Sequence, residues 1–211
     1  MICSGIFFLF PFLLLAAAIT TPAAAANTTT TATDIGTTVG PVTSAVSSTR
    51  VVAEAVFNID GVIGSIVFSQ MSPTDLTFVN ISLAGLNQRA GPYHVHVNPI
   101  VDNTMGKYSA CLATGGHLNP FGVNYTLSGL CNSSNPASCE VGDLSGKHGY
   151  LTNLISITTQ YADSGITLFD GDTTSIIGRA IVIHFANSTS RWVCADILTV
   201  NVSVIASSPC K

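Results

Sequence analysis

The sequence predicts an all-β domain, a sandwich or barrel, over residues 50–206 of its 211. Eight short runs rich in Val, Ile and Thr recur at residues 51–58, 62–69, 75–83, 93–97, 151–160, 166–169, 177–184 and 192–200. Gly, Asn, Asp or Pro separates many of them, which is the spacing of short strands and turns. Asp60-Gly61 falls between the first two runs, where such a pair favours the tight turn of a hairpin. No stretch sustains helical periodicity over several turns.

Ahead of this domain, residues 5–18 (GIFFLFPFLLLAAA) are almost wholly apolar and lead to small residues ending in Ala24, Ala25 and Ala26. A short apolar run before such a site reads as a secretory signal peptide, residues 1–26. A signal anchor is the alternative, but the run is short for a bilayer span of about 20 residues. Residues 27–49 are Thr- and Ser-rich without aromatics, a flexible stalk. Residues 207–211 form a tail. N-x-Ser/Thr sequons begin at Asn27, Asn80, Asn124, Asn132, Asn187 and Asn201, which suits a secreted or wall-associated glycoprotein. No membrane span is expected after signal cleavage.

The charge pattern excludes one class of partner. Only 7 residues are Lys or Arg, scattered through a chain of net charge −4. Nucleic-acid binding needs them clustered.

Residues 98–149 are poor in strand signals. A loop that long in a compact domain is usually functional. It holds Cys111, Cys131 and Cys139, three of the five cysteines left after signal removal. Cys131 and Cys139 bracket a short polar loop and are expected to pair locally. Cys210 is then odd: free, joined to another chain, or exchanged with Cys131 or Cys139.

The five histidines, His94, His96, His117, His148 and His184, are the most informative residues. His94 and His96 flank Val95, so on a strand both rings share a face. His184 ends an apolar β-run and His117 lies in the long loop. Four imidazoles from two strands and a loop suit a tetragonal nitrogen site, a geometry that Cu(II) prefers. His-x-His pairs are common on ordinary strands, so the residues alone stop at a candidate metal site for copper or zinc.

The surrounding motifs resemble the copper/zinc superoxide dismutase family. GPYHVHVNP resembles the strand with two copper ligands, His94 and His96. CLATGGHLNP resembles the segment with a cysteine, Cys111, and the histidine that bridges copper and zinc, His117. VGDL resembles the segment of the zinc-ligand aspartate, Asp143. GRAIVIH resembles the strand ending in the last copper ligand, His184. RWVC resembles the segment with the active-site arginine, Arg191, and a disulfide cysteine, Cys194. These motifs stand in family order.

The resemblance implies an eight-stranded Greek-key β-barrel with long functional loops and a Cys111–Cys194 disulfide. It also implies a superoxide dismutase, with superoxide as the partner molecule. The departures from the family are equally specific. Zinc needs three histidines and an aspartate, and here only His117 and Asp143 remain; Glu140 stands where a zinc-ligand histidine is usual. The segment between His184 and Arg191 is too short for the family's electrostatic loop. CEVGDLSGKHG (residues 139–149) resembles the secreted copper-only branch.

One copper per chain and no zinc are therefore expected. Arg191 would attract the anion. Asp143 would accept from the far nitrogen of His117, with Glu140 in support; a helix N-cap is the alternative role for Asp143. His148 is read as stabilising its loop, and the chain as a monomer. A copper-binding protein with little turnover is the alternative function, though it leaves Arg191 without an obvious use.

Overall fold

The first hairpin forms where Asp60-Gly61 places it. Strands β1 (Val51–Ile59) and β2 (Val62–Gln70) pair without a slip from Val51↔Gln70 to Ile59↔Val62. Asp60 and Gly61 have φ of 50° and 83°. Two positive φ values in a row are what the tightest hairpin turn requires. The Trp192 Nε1–H donates to Asp60 Oδ2 at 2.6 Å, tying this turn to the last strand.

This structure is a computed structural model and describes residues 50–100, 107–124 and 130–200. The expected signal peptide, stalk and tail, with Cys210, lie outside the described residues. Strands β3 (Thr77–Ala84), β4 (Ala90–His96), β5 (Ser156–Asp163), β6 (Ala180–Phe185) and β7 (Arg191–Thr199) complete one antiparallel sheet. Its order is β4-β6-β7-β1-β2-β3-β5. The chain runs β1 to β3 as a meander and crosses to the far edge for β4. It returns beside β3 for β5, then fills the gap with β6 and β7, a Greek-key path. Leu86 N donates to Ile155 O (2.9 Å) and Leu151 N to Gly91 O (3.1 Å), so the segments flanking the two edge strands are stitched together and the sheet is curled.

Strict alternation on β3, buried then exposed at every pair of positions, shows why the sheet curls around one core. Val79, Ile81 and Leu83 point inward, to meet Phe57, Ile66, Phe68, Tyr93, Ile181, Ile183 and Trp192. Burying each such side chain contributes about 1.5–3 kcal/mol.

Seven of the eight β-rich runs are strands. The eighth, residues 166–169, makes only one isolated bridge, Thr167↔Ser175. Its polar groups are satisfied by a buried side chain instead of a ladder. Gln70 Oε1 accepts from Thr167 Oγ1 (2.9 Å) and Leu168 N (2.8 Å), and Thr77 Oγ1 donates to Ile166 O (2.8 Å).

Among its described residues the long loop carries two short α-helices, α1 (Lys107–Leu112) and α2 (Leu144–His148), and one 3-10 turn at Pro136–Ser138. It is sewn back onto β4. Val97 N donates to Gly116 O, Leu118 N to Val95 O, Gly142 N to Leu118 O and Val95 N to Gly142 O, all at 2.7–3.0 Å. Gly142 allows this approach, because a Cβ there would run into Val95 O and Leu118 N. Ser145 of α2 completes the cover of the β4 edge. Its hydroxyl accepts from Tyr93 N (2.5 Å) and donates to Tyr93 O (2.7 Å), both ladder groups of one residue.

Candidate metal centre

Strand alternation turns Tyr93 and Val95 into the core and leaves His94 and His96 on the opposite face of β4. The register His94↔Val182 then sets His184 diagonally beside His94. His117 arrives from the loop through an isolated bridge to His96. One nitrogen from each of the four rings lies within 4.8 Å of the others. All four histidines line one open cleft of about 540 Å³, together with Glu140, Asp143 and Arg191.

The free nitrogens identify the ligand atoms. His96 Nδ1 lies 2.8 Å from Gly115 O, and His184 Nδ1 lies 2.9 Å from Thr189 O. His117 Nδ1 lies 2.5 Å from Glu140 Oε2. Each of these contacts fixes the Nδ1–H tautomer and leaves Nε2 as the donor lone pair. His94 is reversed: Nε2 lies 3.4 Å from Asp143 Oδ1, and Nδ1 faces the cluster. His94 Nδ1, His96 Nε2 and His184 Nε2 are buried without a hydrogen-bond partner. Orphaned buried nitrogens cost free energy, and a metal ion satisfies them together. The four-nitrogen set therefore fits a metal ion.

Burial also prepares the rings. It pushes His96 down to about 3 and His184 down to about 4, and lowers His94. The neutral imidazole is the form that ligates.

The two carboxylates divide the work in the opposite way from the sequence-based expectation. Glu140, not Asp143, takes His117 Nδ1, and Asn119 Nδ2 donates to its other oxygen at 3.2 Å. Asp143 caps α2 by accepting from Gly146 N at 2.7 Å through Oδ1, which also lies 3.4 Å from His94 Nε2. The cap decides this: the Asp143 carboxylate is committed to Gly146 N and to the neighbourhood of His94, which leaves His117 Nδ1 to Glu140. Burial acts to raise the Asp143 pKa, but hydrogen bonds from His94 and Gly146 prevail and hold it low.

Arg191 is a clamp as well as a charge. Its Nη1 donates to Cys111 O (2.6 Å) and Leu112 O (2.8 Å), and its Nη2 to Gly115 O (2.5 Å). Gly115 O is also the partner of His96. A lysine cannot reproduce this fork. Arg191→Lys should therefore lower both the melting temperature and the metal affinity of the cluster, with a stability loss of about 2 kcal/mol. Thermal melting beside a metal-chelator competition checks this; unchanged values in both would remove the clamp.

Two disulfides frame the cleft. Cys111–Cys194 closes 83 residues with S–S 2.06 Å, and Cys131–Cys139 closes the local loop. The second pair lies near Asp143, but oxidised sulfurs are not thiolate ligands.

One cluster was not assigned from sequence. Lys147 Nζ and His148 Nε2 both meet the buried Asp163 Oδ2, at 2.6 and 2.7 Å, and Lys147 Nζ also donates to Val141 O at 2.9 Å. His148 stacks on Tyr161 with centroids 3.8 Å apart. His148 thus fastens α2 to β5, in keeping with a loop-stabilising role. The signal available was the pairing of two cationic residue types in a chain with 9% charged residues. Their partner, 15 residues on, could not be read from spacing.

A curled Greek-key sheet with four converging imidazoles defines a histidine-ligated metalloprotein. The chain belongs to the copper/zinc superoxide dismutase (SODC) family, whose sequence profile matches residues 62–191. It is 38% identical over 125 residues to cell surface copper-zinc superoxide dismutase 4 of Candida albicans, covering 58% of this chain and 48% of the relative. It is 40% identical over 121 residues to the cell surface Cu-only superoxide dismutase 5 of the same organism, covering 56% and 47%. The chain spans about half the length of the curated relatives it matches. The solved structure of Candida albicans superoxide dismutase 5 with Cu(II) superposes with a TM-score of 0.59 at 32% identity. The match covers 74% of this chain and 95% of that one. No helix among the described residues is long and apolar enough to cross a membrane.

Proposed function

We propose that the protein is a copper-only superoxide dismutase, exported to the cell surface or beyond, acting as a monomer behind a cleaved signal peptide and a stalk. The observation that carries this reading is the state of His117. Its Nε2 is left for one metal ion, while its Nδ1, which a second metal would need, is taken by Glu140. That arrangement supports one metal, not two. Imidazole donors in a tetragonal set favour copper, and relatives named Cu-only support the same choice.

His94, His96, His117 and His184 would hold the copper. Bound there, copper supplies one-electron redox chemistry between two superoxide ions. One superoxide loses an electron and leaves as dioxygen; the other gains an electron and two protons and leaves as hydrogen peroxide. The chain's own groups do the rest. Arg191 places a fixed positive charge on the cleft wall, which draws in the anion. Glu140 fixes the His117 tautomer, and the carboxylate–imidazole pair holds a proton beside the open cleft. The tight connection between β6 and β7 leaves that cleft uncovered, so small anions reach it directly.

Metal content and superoxide dismutation, measured on the secreted mature chain loaded with copper and zinc together, test this reading. One copper per chain, negligible zinc and fast turnover that disappears in His184→Ala are the expected results. Bound copper without turnover would instead make the protein a copper store. Stoichiometric zinc would mean that the second site survives.

A further inference from the structure

The outer face of the sheet, away from the metal centre, carries a shallow groove of about 660 Å³. Val67, Met71, Phe78, Asn80, Gln160 and Ala162 line it. Phe78 is 58% exposed and Met71 43%, so an aromatic ring stands in water on an open sheet face. Alternation on β3 sends Phe78, Asn80 and Ser82 outward together. Asn80-Ile81-Ser82 is a glycosylation sequon. Two residues of strand span about 7 Å, so a sugar attached at Asn80 reaches the ring of Phe78. The C–H face of a pyranose is apolar and weakly positive, and the face of an aromatic ring is negative.

Two other sequons among the described residues differ from this one. Asn187 also follows a phenylalanine by two, but the Phe185 ring already stacks on Trp192 (5.7 Å), with Arg89 5.4 Å from its centroid. The Asn132 side chain is engaged within its disulfide-closed loop, donating to Leu130 O and accepting from Ser134 N.

We propose that Asn80 is N-glycosylated and that its core sugars lie in this groove over Phe78. The inference rests on the export reading above. Asn80 Nδ2 bonds to the anomeric carbon of an oligosaccharide carried on a lipid pyrophosphate. The anomeric C–O bond breaks, the lipid pyrophosphate leaves, and the amide loses one proton. The reaction precedes folding of β3, because Asn80 is later paired with Val67 on one side and Gln160 on the other.

The test uses the full chain secreted from a eukaryotic host, with Ser82→Ala and Phe78→Ala variants. Peptide mass spectrometry should find hexosamine-based glycan on Asn80, absent in Ser82→Ala, whose copper binding and dismutation stay at the level of the parent. Trimming with an endoglycosidase to one N-acetylglucosamine gives a reference state, and full removal should lower the melting temperature by about 2–4 °C. In Phe78→Ala that shift should vanish while the glycan remains. Unmodified Asn80 in secreted protein would overturn the proposal and leave export standing. Equal shifts in the parent and Phe78→Ala would overturn the placement over the ring. A chain that stays inside the cell would sink the export reading and the glycan with it.

Discussion

Replacing Glu140 with Ala should lower copper affinity or dismutation by about 10- to 100-fold, the usual effect of removing a partner from a metal-bound histidine. Glu140 accepts from His117 Nδ1 and is steadied by Asn119. Without it, His117 can rotate or adopt the other tautomer, and its Nε2 no longer points reliably into the cluster. Glu140→Gln should fall between Ala and the parent. Its amide oxygen still accepts the hydrogen bond but carries no charge to strengthen it. Copper-competition titration and rapid-mixing dismutation assays measure the two effects separately. Parent-like values for Glu140→Ala in both would remove the residue from the mechanism. Asp143→Ala should act differently, since it loses the α2 cap at a cost of about 1 kcal/mol and the contact with His94.

Asp163→Ala should destabilise the fold by about 3–5 kcal/mol, the range for breaking a buried ion pair from one side. The ammonium of Lys147 would be left buried with only Val141 O as a partner. Burial alone would raise the pKa of Asp163. The His148 hydrogen bond and the Lys147 charge more than offset this and bring it down to about 2. A depressed folded pKa stabilises above the unfolded value of about 3.9 and ceases to do so as pH falls through about 2. The parent should therefore lose this contribution across that acid window, and Asp163→Ala should show a flatter stability profile there. Denaturant melts from pH 2 to pH 7 give both curves. Parallel curves would show that Asp163 carries no linked charge.

Which parts of this were legible beforehand follows from the range of the interactions. His94 and His96 were assigned to one face because strand periodicity is local. Asp60-Gly61 was assigned to a turn because its backbone preference is local too. The β-rich composition of residues 166–169 predicts a strand, but Gln70, nearly a hundred residues earlier, captures its polar groups. Helix α2 was invisible to periodicity, being a little over one turn long. The carboxylate exchange between Glu140 and Asp143 had the same origin. Glu140 and Asp143 stand three residues apart in a loop with no periodicity to orient them, and only the folded geometry puts Glu140 on His117 Nδ1 and Asp143 on the α2 cap.

The two disulfides make the chemistry conditional on location. Cys139 directly precedes Glu140, and Cys111 opens the segment that leads to His117 and offers its carbonyl to Arg191. Cutting either bond loosens a group that steadies the metal-binding rings. A copy that failed to leave a thiol-rich interior would therefore fold with a slack cleft and a poor hold on its metal. The covalent frame thus acts as a safeguard: the four-histidine centre is held together only where the surroundings keep its cysteines joined.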